Sequence, residues 1–324
     1  MKNIMRKLNP LTKDDMGVST LIYVVKQLFG FLFIYIASML LGEIIIIAGL
    51  SFSGYNFLKG EMPNNDVMML LKYYGFSIHM SITLLYCKLL KKITFTDIGL
   101  TKKFIIRSYL SGYGLGILLI GITIMTSIAS NAIVYTGMNS NVNWKLIGAY
   151  FGGFVIQGAM EEIMCRGYLM NSLRKRVSLP LAVTISSMVF SIPHFPTLFM
   201  NEYLISIIGV TNLMLFSVLM SILVIKFKNI WVSCAVHSIW NFILSIIIGI
   251  ALSGSHQTLS VFNFTANGKL NMLSGGQYGI EAGILCTFVL MGFIMLTLKM
   301  KGRKHNGIQQ QVIRIAKTKR IITR

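Results

Sequence analysis

The sequence predicts an all-α fold, a polytopic membrane bundle of about eight transmembrane helices, and three observations predict it. The 324 residues are 54% hydrophobic and only 12% charged, against roughly a quarter charged in soluble domains, and mean hydropathy is +0.69, so the composition suits a bilayer. Apolar runs near the length of a membrane span, about 20 residues, recur from one end to the other. The connections between them are alternately rich and poor in lysine and arginine.

The runs fall at 30–50, 67–87, 109–129, 146–166, 180–195, 203–225, 232–252 and 279–298. The first follows a mixed, basic stretch and is long enough to span, so it reads as a retained helix rather than a cleaved leader. Lys88 closes the second and Arg107 precedes the third; the fourth ends at Arg166. The fifth is short and broken by Pro193 and Pro196, residues that remove a helix donor, so its limits are the least defined. The sixth stops before Lys226 and Lys228, the seventh opens after them, and the eighth ends at Lys299. The chain thus divides into a basic N-terminal segment (1–29), the bundle (30–298) and a basic tail (299–324).

Charge sets the expected orientation. Lys2, Arg6, Lys7 and Lys13 precede the first run, and Lys88, Lys91, Lys92, Lys102, Lys103 and Arg107 fill the second connection. Arg174, Lys175 and Arg176 fill the fourth, Lys226 and Lys228 the sixth, while the odd connections hold scattered charges such as Lys59, Glu61, Asp66, Glu202 and Lys269. The positive-inside rule then puts both termini in the cytoplasm; the Lys-, Ile- and Asn-rich composition points to a bacterial plasma membrane. The net charge of +20 lies in these short clusters, which suits anionic lipid and not nucleic acid. Stretches 93–103 and 309–322 are amphipathic, fitting either the membrane surface or a solvated connector and tail. Cys87, Cys165, Cys234 and Cys286 lie in or beside apolar runs without CxxC spacing and read as small buried hydrophobes.

A charge inside a membrane helix costs roughly 2.5–3.5 kcal/mol on insertion scales and usually has a functional reason. Glu161 and Glu162 sit in such a run. Glu162 and Arg166 are four apart with the acid first, the favourable order for an intrahelical ion pair. Glu161 then points about 100° away. One carboxylate is neutralised and its neighbour is free, an arrangement that recurs in acid–base chemistry. Phe190 and His194 are also four apart, as are His237 and Asn241, so each pair shares a helix face. At about 1.5 Å per residue, Glu161, His194 and His237 meet near the middle of the bilayer, in a water-filled cavity. A lone histidine in a membrane helix is usually an interhelical hydrogen-bonder. Two of them with an asparagine and a free glutamate call for more.

These segments resemble the type II CAAX prenyl proteases and their bacterial relatives, the CAAX protease and bacteriocin-processing (CPBP or Abi) membrane proteins. That family is marked by EExxxR, FxxxH and HxxxN on successive helices, matched by Glu161, Glu162 and Arg166, by Phe190 and His194, and by His237 and Asn241. The resemblance covers about residues 145–250. It implies a helical bundle around a cytoplasm-facing polar cavity. It also implies that Glu161 and His194 activate a water, that His237 and Asn241 bind the oxyanion, and that Glu162 and Arg166, with Phe190, support the site. No cofactor is predicted; two His and two Glu leave zinc open, although no HExxH motif occurs and the ligand set is unconventional.

The sequence therefore reads as an intramembrane endopeptidase acting on a membrane-embedded or lipidated peptide or protein. The alternative is a non-proteolytic protein of the same scaffold, in bacteriocin self-immunity or signalling. A transporter ranks third, since no inverted repeat or broken-helix pair is apparent.

Overall fold

The computed structural model of the chain describes residues 9–11, 17–56, 59–256 and 259–300. The basic cluster of Lys2, Arg6, Lys7 and Lys13, and the tail beyond residue 300 with its stretch 309–322, lie outside the described residues.

Among the described residues, eight helices stand where the apolar runs stand: α1 (Thr20–Phe52), α2 (Asn65–Leu85), α3 (Ile105–Ala129), α4 (Trp144–Glu162), α5 (Leu179–Ser191), α6 (Tyr203–Phe227), α7 (Trp231–Phe242) and α8 (Ile284–Lys299). Four continue through an altered turn. A π-helical turn follows α2 (Tyr86–Leu90), α4 (Ile163–Met170) and α7 (Ile243–Ile247), and a 3₁₀ turn (Ile192–His194) links α5 to a short helix, Phe195–Leu198. By length and composition alone, α1, α3, Leu179–Leu198 and α6 can cross a membrane. The apolar stretches Trp231–Ile247 and Ile284–Lys299 are shorter.

Local chemistry sets the starts. Ser19, Asn64 and Asn143 accept from the backbone N–H groups of Ile22, Val67 and Leu146 at 3.4, 2.9 and 3.1 Å, capping α1, α2 and α4. The first helix begins at Thr20, ahead of the expected residue 30, because its inward stripe opens with polar residues. Tyr23, Lys26, Gln27, Gly30, Ile34, Ser38 and Gly42 are buried at helical spacing, and Lys26 and Gln27 interrupt the apolar run. The opposite face exposes Leu32, Phe33, Ile36, Leu40 and Ile44, a surface suited to lipid.

Helix α7 sits inside, against α3, α4 and α6. Glycines let it approach. A Cβ on Gly112 would come within 2.6 Å of Ala235 Cβ, one on Gly116 would collide with Ile239, and one on Gly158 of α4 would meet Ser238 Oγ at 2.6 Å. Small residues at such contacts are how membrane helices pack closely. All four cysteines are buried and free.

One element departs from the all-α expectation. β1 (Ile133–Met138) and β2 (Phe262–Ala266) form an antiparallel pair from Ile133–Ala266 to Met138–Phe262, with a register shift between Tyr135 and Gly137. Both stretches are rich in β-branched and aromatic residues. They are far shorter than a membrane span, and they meet because α3 and α7 finish side by side, where Asn267 donates to the Asn131 carbonyl.

The connectors separate into two sets. At one end Ile230 N donates to Gly99 O (3.0 Å), Trp231 Nε1 to Thr101 O (2.7 Å), Asn171 Nδ2 to Asp97 O (3.1 Å) and Lys226 Nζ to Met300 O (2.6 Å). The lysine- and arginine-rich connections share this end. Stretch 93–103 lies here as a docked connector of turns with Ile93 and Ile98 buried, not as a surface helix. Asp97 accepts from the Thr94 hydroxyl (2.6 Å) and amide (3.0 Å), which hold its carboxyl below the usual carboxylate range. At the other end Tyr150 Oη donates to Asp66 (2.8 Å), Asn271 to Glu202 (3.2 Å) and Gln277 N to Asn201 (2.9 Å).

Candidate active site

Three helices change their winding beside the polar residues they carry. Helix α4 becomes π-helical directly after Glu162, α5 tightens to 3₁₀ at Ile192–His194 where Pro193 removes a donor, and α7 becomes π-helical two residues past Asn241. Such turns leave carbonyls short of their usual partner, and Ser186 Oγ of α5 donates to the Cys165 carbonyl of the first one at 2.8 Å. That bond fixes α5 against α4.

The two adjacent carboxylates have different surroundings. Arg166 Nη1 donates to Glu162 Oε1 at 2.9 Å, and neither side chain is exposed. Arg166 Nη2 also donates to the Ser217 carbonyl (3.1 Å) and hydroxyl (2.7 Å), and the guanidinium stacks 4.7 Å from the Phe190 ring centre. A buried ion pair is stable only when its remaining hydrogen-bond capacity is met, and Ser217 with the Phe190 face meets part of it. Glu161 instead keeps 19% of its side chain exposed and lines a cavity.

His237 bridges the two acids. Its Nδ1 donates to Glu162 Oε1 at 3.0 Å, and Nε2 lies 3.7 Å from Glu161 Oε2. A carboxylate behind one ring nitrogen fixes the ring and aims the other. Phe190 packs edge-on to His237, with ring centres 5.9 Å apart, and lies 5.3 Å from His194. His194 Nδ1 donates to the Phe190 carbonyl at 3.2 Å.

A cavity of about 220 Å³ gathers Glu161, His194, His237, Asn241 and Phe190. Glu162 and Arg166 stand behind it, fully buried. The nearest hydrogen-bond partner of Glu161 is Gln157, whose Nε2 donates to Oε1 at 3.2 Å, and Gln157 Oε1 accepts from Asn241 at 3.3 Å. His194 faces the same cavity. Among the described residues, no three His, Cys, Asp or Glu side chains are arranged to hold a metal ion, so the donor set as it stands does not fit zinc.

Three residues were not picked out from the sequence. Gln157 stands one turn before Glu161, but an uncharged side chain in an apolar run carries little signal. Glu281 lies within the run expected to form the eighth span, yet it sits in a turn before α8 and accepts from Trp240 Nε1 (2.8 Å) and from Ser253 N (2.8 Å) and Oγ (3.3 Å). Lys72 of α2 lines this cavity and a larger, apolar one of about 620 Å³ between α1, α2, α4 and α5, which also shares Phe76, Glu161, Phe190, Pro193 and His194. The resemblance and the charge pattern together set the cavity and the basic connections at one end. The structure separates them: both cavities are lined from the middle of the bundle and from the end without the basic connectors.

Residues 143–243 match the family described as type II CAAX prenyl endopeptidase Rce1-like. No curated protein and no solved structure is significantly similar to the chain. The matched segment contains all seven residues of the three motifs. It supports assignment to the CAAX protease family, which is a family of peptidases.

Proposed function

Starting from the match over residues 143–243, we propose that this protein is an intramembrane endopeptidase hydrolysing a peptide bond in a membrane-associated peptide or protein. One observation carries the reading: of two adjacent carboxylates, Glu162 is buried against Arg166 and His237, while Glu161 faces a cavity shared with His194, His237 and Asn241. That separates a supporting acid from a working one.

In the proposed reaction, a water between Glu161 and His194 gives a proton to Glu161 as its oxygen attacks the scissile carbonyl carbon. The carbonyl electron pair moves onto oxygen, where His237 Nε2–H and the Asn241 amide stabilise it. His237 acts as the imidazolium, donating from Nδ1 to Glu162. The C–N bond then breaks, and Glu161 passes its proton to the leaving amine. Arg166 keeps Glu162 in place behind the ring. The scheme uses this chain's own side chains throughout.

The apolar cavity beside Glu161 suits a substrate with a lipid or a membrane-embedded segment, and the bundle would sit in the plasma membrane with eight spans. The test uses purified protein in vesicles and a panel of lipidated and membrane-spanning peptides. Wild-type cleavage that Glu161→Gln loses supports the reading. Cleavage at the wild-type rate by that variant removes Glu161 from the reaction and overturns the mechanism, and cleavage by neither protein on any peptide leaves a binding role in immunity or signalling.

A further inference from the structure

The position of the cavity bears on where a substrate comes from. In the cavity around Glu161, α2 contributes Met69, Lys72 and Tyr73 from its first turns, the segment after α5 contributes Thr197, and the chain after α7 contributes Ser253. Each belongs to the end that carries the β1–β2 pair. None comes from the basic connectors. Towards the basic end the site has a closed floor: Arg166, Leu169, Met170 and Leu173 of the α4 column, with Ile98 and Ile230 from two basic connections, are all fully buried. Gly167 backs this floor, where a Cβ would stand 3.2 Å from the Ile98 carbonyl.

The two ends differ in charge as well. The basic connections carry Lys88, Lys91, Lys92, Lys102, Lys103, Arg107, Arg174, Lys175, Arg176, Lys226 and Lys228 with Asp97 as their one acid. The connectors at the mouth mix signs, with Lys59, Glu61, Lys145, Glu202 and Lys269. Positive connections stay on the cytoplasmic side during insertion. We infer that the catalytic cavity opens away from the cytoplasm, so that its substrate is a peptide segment presented on the extracytoplasmic face or in the outer half of the bilayer. The inference rests on the peptidase reading for the nature of the substrate, and on the closed floor and the charge pattern for the side of entry.

Thiol labelling in intact cells tests it. Lys72→Cys places a thiol at an exposed position lining both cavities, and Arg174→Cys places one at the basic end. The four native cysteines are buried, and the wild type gives the background. A membrane-impermeant sulfonated maleimide should label Lys72→Cys equally before and after permeabilisation, and Arg174→Cys only after it. Met69→Cys serves where Lys72→Cys does not accumulate. A cavity thiol that labels only after permeabilisation, or Arg174→Cys that labels in intact cells, overturns the inference. Labelling reads access and not turnover. An inactive protein with the expected labelling would sink the proposed function alone, and an active one with the reverse pattern would sink the side of entry alone.

Discussion

Glu161 and Glu162 are one peptide unit apart in the chain and differ in everything around them. Glu161→Gln should abolish cleavage and leave accumulation and thermal midpoint near wild type, because Glu161 is partly exposed and outside the Arg166 pair; a rate assay beside a melting curve checks both. Glu162→Gln and Arg166→Ala should each lower stability, since each leaves a charge buried without its partner, at a cost of about 3–5 kcal/mol in soluble proteins. Thermal inactivation in detergent measures this. Asn241→Ala should lower kcat by about 10²–10³ with KM little changed, as loss of one oxyanion donor does. Exhaustive chelation should leave wild-type activity intact, because the proposed chemistry runs on side chains; activity that vanishes and returns with zinc would replace the mechanism. The ion pair was legible because four residues make one helical turn, which is local information. Glu281 was not, because Trp240 of α7 and Ser253 of the chain after it, which hold it at the cavity, are far from it in sequence.

At the scale of elements, the helix carrying His237 and Asn241 is placed by glycines on its neighbours. Gly116→Leu would drive a side chain into Ile239 and push α7 from α3. Overpacking of this kind costs about 1–3 kcal/mol, and displacement of His237 should lower activity further than the loss of folded protein explains. Activity per folded molecule, with a thermal melting curve in detergent as a folding check, separates the two effects. Apolar runs located all eight helices, since burial in lipid or in the bundle demands the same residue types. They misplaced the ends. Lys26 and Gln27 are buried in α1, the seventh run stops being helical at Ile247, and the strands β1 and β2 depend on a pairing between residues far apart in sequence. None of these is visible to a local count of apolar residues.

For the whole molecule, a cluster of lysines and arginines at one end of the bundle should bind anionic lipid, at about 1 kcal/mol per basic side chain near the surface. Vesicles containing anionic lipid should raise the thermal midpoint over neutral vesicles, and salt that shortens the Debye length to a few ångströms should remove the difference. An equal midpoint in both would detach the charge pattern from lipid. The alternation of those charges was readable from sequence; the end at which the cavity opens was not, because it depends on which side of Glu161 the helices pack shut. That closed floor also governs traffic. A chamber shut on the basic side admits the substrate and releases both fragments on the opposite side, so a retained fragment hinders the next arrival. Turnover would then slow as product accumulates, with each fragment competing against intact substrate, and the fragment bearing the apolar anchor would hold the doorway longest.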